Sequence, residues 1–343
     1  MKALYAHGPR DLQLGSCDID DPQAGEVRIK MARGGICGSD LHYFLHGGFG
    51  TVRLREPMIL GHEVSGHVAA IGEGVDGLAV GDLVAVSPSR PCGACEECAR
   101  GNPNHCANMR FYGSAMPFPH IQGAFREEIV AMQSQCVKAE GLTPAEAATA
   151  EPLAVVLHAL HQAGDLLGKR VLVTGCGPIG LLTILAARRA GAADIIATDI
   201  SDRGLEFARN AGANVTVNTM THADGLAAYG AGKGTLDVLF ECSGAQVALA
   251  GAIPAIRPKG VIVQVGMSGD MTLPMQQITV KELALKGSFR FHPEFATAIL
   301  LMQQKLIDVT PLITHSFPLE KFQEAFDTAT DREKAMKVQL VFG

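Results

Sequence analysis

A chain of 343 residues with 47% hydrophobic and 19% charged content can bury a large core and, by length, hold about two domains. Its formal charge of −6 and pI near 6.1 give no electrostatic reason to expect nucleic acid or an anionic membrane as a partner, and leave small solutes as the expected ones. Met1 to Arg10 carry no apolar core of signal-peptide length, and no apolar run approaches the roughly 20 residues a bilayer requires, so a cytoplasmic location is expected.

Up to about residue 150 the chain reads as short strands broken by glycine and proline, among them Glu26 to Ala32, Glu63 to Ile71 and Asp82 to Val86. That texture predicts a β-rich, partly barrel-like unit. From Lys169 onward Val171 to Thr174, Ile195 to Thr198, Val238 to Glu241 and Val261 to Val265 read as buried strands, while Ile179 to Ala190 and Arg203 to Ala211 carry apolar residues at helical spacing. Such alternation predicts right-handed crossovers and a doubly wound parallel sheet. After about Gly287 come a helix (Pro293 to Gln304), a second (Leu319 to Ala329) and a last strand, Lys337 to Phe342. This tail is too short to stand alone, so the fold is α/β with residues 1–150 and 289–343 in one domain and residues 151–288 in the other.

The strand Val171 to Thr174 runs directly into Gly175, Cys176, Gly177, Pro178, Ile179 and Gly180 before a helix. In such a turn the first glycine permits the tight bend, the second lets the backbone approach a pyrophosphate, and the third lets helix and strand pack closely. The helix N-terminus then faces the phosphates. Alone the pattern is weak, and an ordinary turn is its bland reading. Asp199 strengthens it by closing the next strand about 20 residues on, where a carboxylate accepts the adenosine ribose hydroxyls; a helix N-cap is the alternative. That carboxylate repels a 2′-phosphate and favours NAD over NADP, although Arg203 nearby weakens the preference unless it is a solvated helix residue. Val265, at a later strand end, joins the cofactor-binding candidates.

Nine cysteines is an odd count, and four of them crowd between Cys92 and Cys106, which is not the layout of a disulfide framework. Cys92, Cys95, Cys98 and Cys106 form C-x2-C-x2-C-x7-C in a loop (residues 90–108) rich in glycine, proline and asparagine. Four thiolates at that spacing suit a closed, structural zinc. An iron–sulfur cluster and a metal-free thiol cluster compete; a nucleic-acid-gripping zinc ribbon is disfavoured by Glu96 and Glu97 inside the loop and by the lack of a flanking basic stripe. A second ligand set is spread along the chain: Cys37, His62 with Glu63, and Glu151. Each has a bland reading as a core thiol, a core histidine or a first-turn glutamate. The glycines around Cys37 and His62, which bring backbone close to a metal, argue for an open, catalytic zinc. Cys17, Cys136, Cys176 and Cys242 read as buried thiols.

The stretch Cys37-Gly38-Ser39-Asp40-Leu41-His42, the Gly61-His62-Glu63 signature, the four-cysteine loop and the Gly175 to Gly180 turn, in that order and spacing, resemble the zinc-containing medium-chain dehydrogenases over essentially the whole chain. The resemblance implies a GroES-like catalytic domain, a Rossmann domain, two zinc ions per chain and NAD, with NADP possible. Where the alcohol dehydrogenases of this family carry a cysteine as the third zinc ligand, this sequence has Glu151-Pro152-Leu153-Ala154-Val155, as the sorbitol-type polyol dehydrogenases do. The likeness therefore points to polyols, and Glu63 and Glu151 are both named as ligands. Longer matching segments, Met109 to Met116, Gly287 to Phe291 and Lys337 to Phe342, resemble a sugar-acid branch of the family.

By the same likeness Ser39 takes the proton from the substrate hydroxyl, a cofactor ribose passes it on, and His42 releases it to solvent; a surface imidazole is the bland reading of His42. Tyr43, Phe125, Arg290 and Phe291 are candidate pocket residues, and Arg110 or Arg290 would pair with a substrate carboxylate unless engaged in salt bridges. Two rivals remain: sorbitol-, xylitol-, galactitol- or threonine-type dehydrogenase activity, and a non-catalytic zinc-stabilised nucleotide-binding protein. A homodimer or homotetramer is expected from the resemblance.

Overall fold

Strand Glu26–Gly35 is the axis of the first half, because it finds partners on both edges and with both ends. The computed structural model describes residues 1–267 and 269–343, which divide into two compact units, Met1–Glu151 with His292–Gly343 and Pro152–Phe291.

In the first unit one edge of Glu26–Gly35 pairs antiparallel with Glu63–Ile71, Gly35 opposite Glu63. Its other edge takes Glu128–Met132 against the first half and Lys337–Val341 against Arg33, Gly34 and Gly35. The sheet continues through Leu83–Val86 and Cys136–Lys138 on one side and Ile313–Pro318 on the other. Alternating apolar positions of these strands turn inward with Phe44, Phe125 and Phe326 to form the core. The expected β-rich unit is therefore present, and the C-terminal strand is an interior strand of its sheet. The expected strand ending at Ala32 runs on to Gly35, because the C-terminal strand offers it a partner that sequence periodicity cannot reveal.

The second unit is a six-stranded parallel sheet in the order Val215–Asn218, Asp194–Asp199, Arg170–Thr174, Leu236–Glu241, Ile256–Gln264, Ala284–Gly287. The chain enters at Arg170–Thr174, winds outward one way, then returns and winds the other way, which makes this strand's carboxyl end the topological switch point where ligands bind in such sheets. Helices Pro178–Arg189 and Asp202–Asn210 follow the first two strands. Among the described residues no helix is long and apolar enough to cross a membrane.

Candidate metal and cofactor sites

Cys37 caps the helix Gly38–His46, and the third helical residue, Asp40, folds back to accept the Cys37 N–H at 3.0 Å. The other oxygen of Asp40 accepts the Gly61 N–H at 3.1 Å and lies 3.8 Å from His62 Nδ1. One buried carboxylate thus ties the loop that carries Cys37 to the loop that carries His62. Burial, offset by His62, raises the pKa of Asp40. Ser39 is half-buried in the first turn of the same helix, and His42 is exposed, its pKa pulled down by partial desolvation, then by His46 and Arg332.

Ligand atoms of Cys37, His62 and Glu63 lie within 4.8 Å of one another, the geometry that one small cation spans. Two features fit a metal here. His62 Nδ1 is buried and makes no hydrogen bond among the described residues. Burial and then the charge of Glu63 push the Cys37 thiol up to about 12, so a cation is needed to hold the thiolate. Glu151, in the first turn of helix Ala150–Ala163, falls outside the 4.8 Å set. It is nonetheless buried, and its pKa is raised to about 8 by burial first and by the charges of Glu63 and Cys37, against the opposing pull of His62 and Lys337. Sequence reading missed Lys337. Its ammonium is buried and donates to both oxygens of Glu63 at 2.9 and 2.8 Å and to the Ile36 carbonyl at 3.3 Å.

The sulfurs of Cys92, Cys95, Cys98 and Cys106 also lie within 4.8 Å of one another. The loop is pinned at its base by the short ribbon of Ser89–Arg90 against Arg110–Phe111. The Cys92 N–H points at Cys106 Sγ (3.1 Å) and Asn108 Nδ2 at Cys92 Sγ (3.6 Å), donors that favour thiolate over thiol. The donor set is all sulfur and leaves no open position, as a structural zinc requires.

In the second unit Gly175 has φ +87°, and a Cβ on Gly180 would strike the Gly175 carbonyl oxygen, so only glycine closes this turn against its helix. Gly177 is the N-cap, Pro178 and Ile179 open the helix, and Pro178 has no N–H to lose there. Asp199 Oδ2 accepts the Cys176 N–H at 2.5 Å and Oδ1 accepts those of Ile200 and Ser201 at 2.7 and 2.9 Å. The N-cap of the next helix is Ser201, so Asp199 stands at the strand end and braces the glycine turn. Arg203 pairs with Glu206 at 2.8 Å and stacks over Phe207, its bland reading as a helix-surface residue. Val265 lies just past the strand Ile256–Gln264 and donates its N–H to the Glu241 carbonyl at 2.9 Å.

The substrate candidates separate. Tyr43, Phe125 and Phe291 are buried, with Tyr43 Oη accepting the Ala115 N–H at 3.0 Å. Arg110 is exposed opposite Arg90, and Arg290, at φ +56°, lies over the Phe289 ring.

Two family descriptions match: "Alcohol dehydrogenase GroES-like domain" over residues 23–141 and "Zinc-binding dehydrogenase" over residues 178–304. The chain is 45% identical over 320 residues to L-idonate 5-dehydrogenase (NAD(P)(+)) of Escherichia coli, covering 92% of this chain and 91% of that protein. The crystal structure of the L-idonate 5-dehydrogenase from Escherichia coli K-12 superposes with a TM-score of 0.95 at 42% identity, covering 99% of this chain and 98% of the other. Human sorbitol dehydrogenase is 37% identical over 338 residues, 95% of this chain and 92% of that protein. The chain belongs to the zinc-containing medium-chain dehydrogenases.

Proposed function

We propose that the chain oxidises a secondary alcohol of a sugar acid with NAD, L-idonate to 5-ketogluconate being the first choice. The observation that carries the reading is the meeting of Cys37, His62 and Glu63 within 4.8 Å in a chain 45% identical to an L-idonate dehydrogenase. Bound there, zinc supplies Lewis acidity toward a substrate hydroxyl. The protein's own groups do the rest. Asp40 orients the two ligand loops, Glu63 and Glu151 hold negative charge at the metal, Ser39 Oγ takes the hydroxyl proton, and the exposed His42 imidazole releases it to solvent. Arg110 and Arg290 are the side chains offered to a substrate carboxylate. Asp199 and the Gly175–Gly180 turn take the adenosine ribose and the pyrophosphate.

Polyol oxidation of the sorbitol, xylitol or galactitol kind, or threonine oxidation, is the second reading, favoured by the 37% identity to sorbitol dehydrogenases and by Glu151 where alcohol dehydrogenases have cysteine. A non-catalytic nucleotide-binding role is opposed by the full donor set of Cys37, His62, Glu63 and Glu151. The deciding experiment compares kcat/KM for L-idonate, other hexonates and sorbitol; no advantage for a hexonate overturns the first choice in favour of the second. A homodimer or homotetramer is proposed, supported by the edge strand Ala284–Gly287, which pairs on one side only among the described residues and exposes Leu285. Thiols kept for metal suit a reducing compartment, and the cytoplasm is the proposed location.

A further inference from the structure

Strand Leu236–Glu241 ends on a carboxylate with 0% exposure, and no cation pairs with it among the described residues. Burying an acidic side chain is strongly unfavourable unless donors offset the loss of water. Here the donors are all dipoles. Oε1 accepts from Thr174 Oγ1 (3.3 Å), Ser243 N (2.8 Å), Gly244 N (3.2 Å) and the Ser243 hydroxyl. Oε2 accepts from Gly244 N (3.0 Å) and Gln264 Nε2 (2.6 Å). The main-chain oxygen of the same residue takes the N–H of Val265 (2.9 Å) and of Gly266 (2.8 Å).

These partners come from three separate strand ends. Thr174, Glu241 and Gln264 lie in register across adjacent parallel strands, so their side chains meet at the carboxyl edge of the sheet. Thr174 leads into the glycine turn, Ser243 and Gly244 form the next loop, and Gln264 to Gly266 the one after. The loops also touch one another, since a Cβ on Gly175 would sit 2.7 Å from Ser243 N. An apolar residue at position 241 would tie none of these loops, and the carboxyl edge at the switch point is where such a fold binds a dinucleotide.

We propose that Glu241 is a positioning residue for the cofactor, fixing the 242–245 and 264–267 loops in the arrangement that receives the half of the dinucleotide remote from Asp199. This rests on the reading of the second unit as the dinucleotide site. Asp199 and Glu241 end strands on opposite sides of Arg170–Thr174, so the two ends of the ligand report on them separately.

Glu241→Gln is nearly isosteric but has one acceptor oxygen, and its NH2 must face a Gly244 or Gln264 donor. The measurement is equilibrium binding of NADH and of AMP to the zinc-replete protein, with KM for NAD and for the alcohol substrate. NADH binding weakens about tenfold and KM for NAD rises with it, while AMP affinity and the substrate KM stay within about twofold. Unchanged NADH affinity overturns the proposal, as does a parallel loss of AMP binding, substrate KM and zinc, which a general loosening of the fold would give. Ser243→Ala and Gln264→Leu keep the carboxylate and remove one donor each, which covers the case in which Glu241→Gln fails to fold. Each weakens NADH about threefold and spares AMP, and no effect from either overturns the proposal. Failure of the unmodified protein to bind NADH would instead sink the reading of the second unit.

Discussion

Lys337 reaches both carboxylate oxygens of Glu63 from a strand 274 residues further along the chain. Both side chains are nearly inaccessible to solvent, so the pair is a buried ion pair beside the candidate metal ligands. Burial pulls the Lys337 pKa down, but the charges of Glu63 and Cys37 outweigh it and the net shift is upward. The stabilisation is therefore complete below the ordinary lysine range and is lost as the pH climbs through the raised value. In metal-stripped protein Lys337→Met strands a buried carboxylate and should cost about 3–5 kcal/mol in denaturant unfolding. Adding Glu63→Gln should recover part of that, and a strictly additive double mutant would contradict the pairing.

Two donor sets predict about two zinc ions per chain by metal analysis. Cys37→Ser removes a donor from the open set alone and should leave about one zinc, with the four-cysteine loop intact. A Cys37→Ser protein that still holds two would contradict the assignment. Asp40→Asn, which spares the donors but disturbs their support, should weaken retention of that zinc about 10- to 100-fold in a chelator competition.

Asp199 braces the glycine turn through Cys176 and offers the carboxylate expected to meet the ribose. Asp199→Ala should raise KM for NAD about tenfold or more and narrow the preference for NAD over NADP. Unaltered kinetics with both cofactors would remove Asp199 from the site.

Thiol alkylation requires the thiolate, and its pH dependence separates the cysteines. With the metal stripped, the Ala94 N–H, then the Asn108 side chain and Cys106, pull Cys92 down to about 6, whereas burial pushes Cys136 and Cys242 up to about 12. At pH 7 iodoacetamide should therefore label Cys92 and spare Cys136 and Cys242, and zinc should protect Cys92. Equal labelling of the three, read by peptide mass spectrometry, would contradict the local electrostatics described.

Much of this architecture is legible in short windows of sequence, because strand periodicity, the glycine turn and the cysteine spacing are local signals. The strand expected at Val238 to Glu241 begins at Leu236, and the helix expected at Arg203 to Ala211 spans Asp202–Asn210. What escapes are relations set by register between distant strands. Lys337 in a terminal strand looks like a surface cation until that strand pairs beside Gly35, which itself faces Glu63. Glu241 looks like an ordinary strand end until Thr174 and Gln264 close on it. The aromatic rings Tyr43, Phe125 and Phe291 are all buried, an extent of cover that a sequence does not state because it does not say which neighbours will lie over a ring.

In the proposed reaction one open metal at Cys37, His62 and Glu63 serves a nicotinamide-dependent oxidation of a secondary alcohol. Its most direct test is NADH absorbance in a mixture of zinc-replete protein, NAD or NADP, and a panel of hexonates and polyols. Steady reduction of NAD is expected with at least one of these substrates, abolished in Cys37→Ser. No reduction of either cofactor with any substrate, or undiminished reduction by Cys37→Ser, would contradict it.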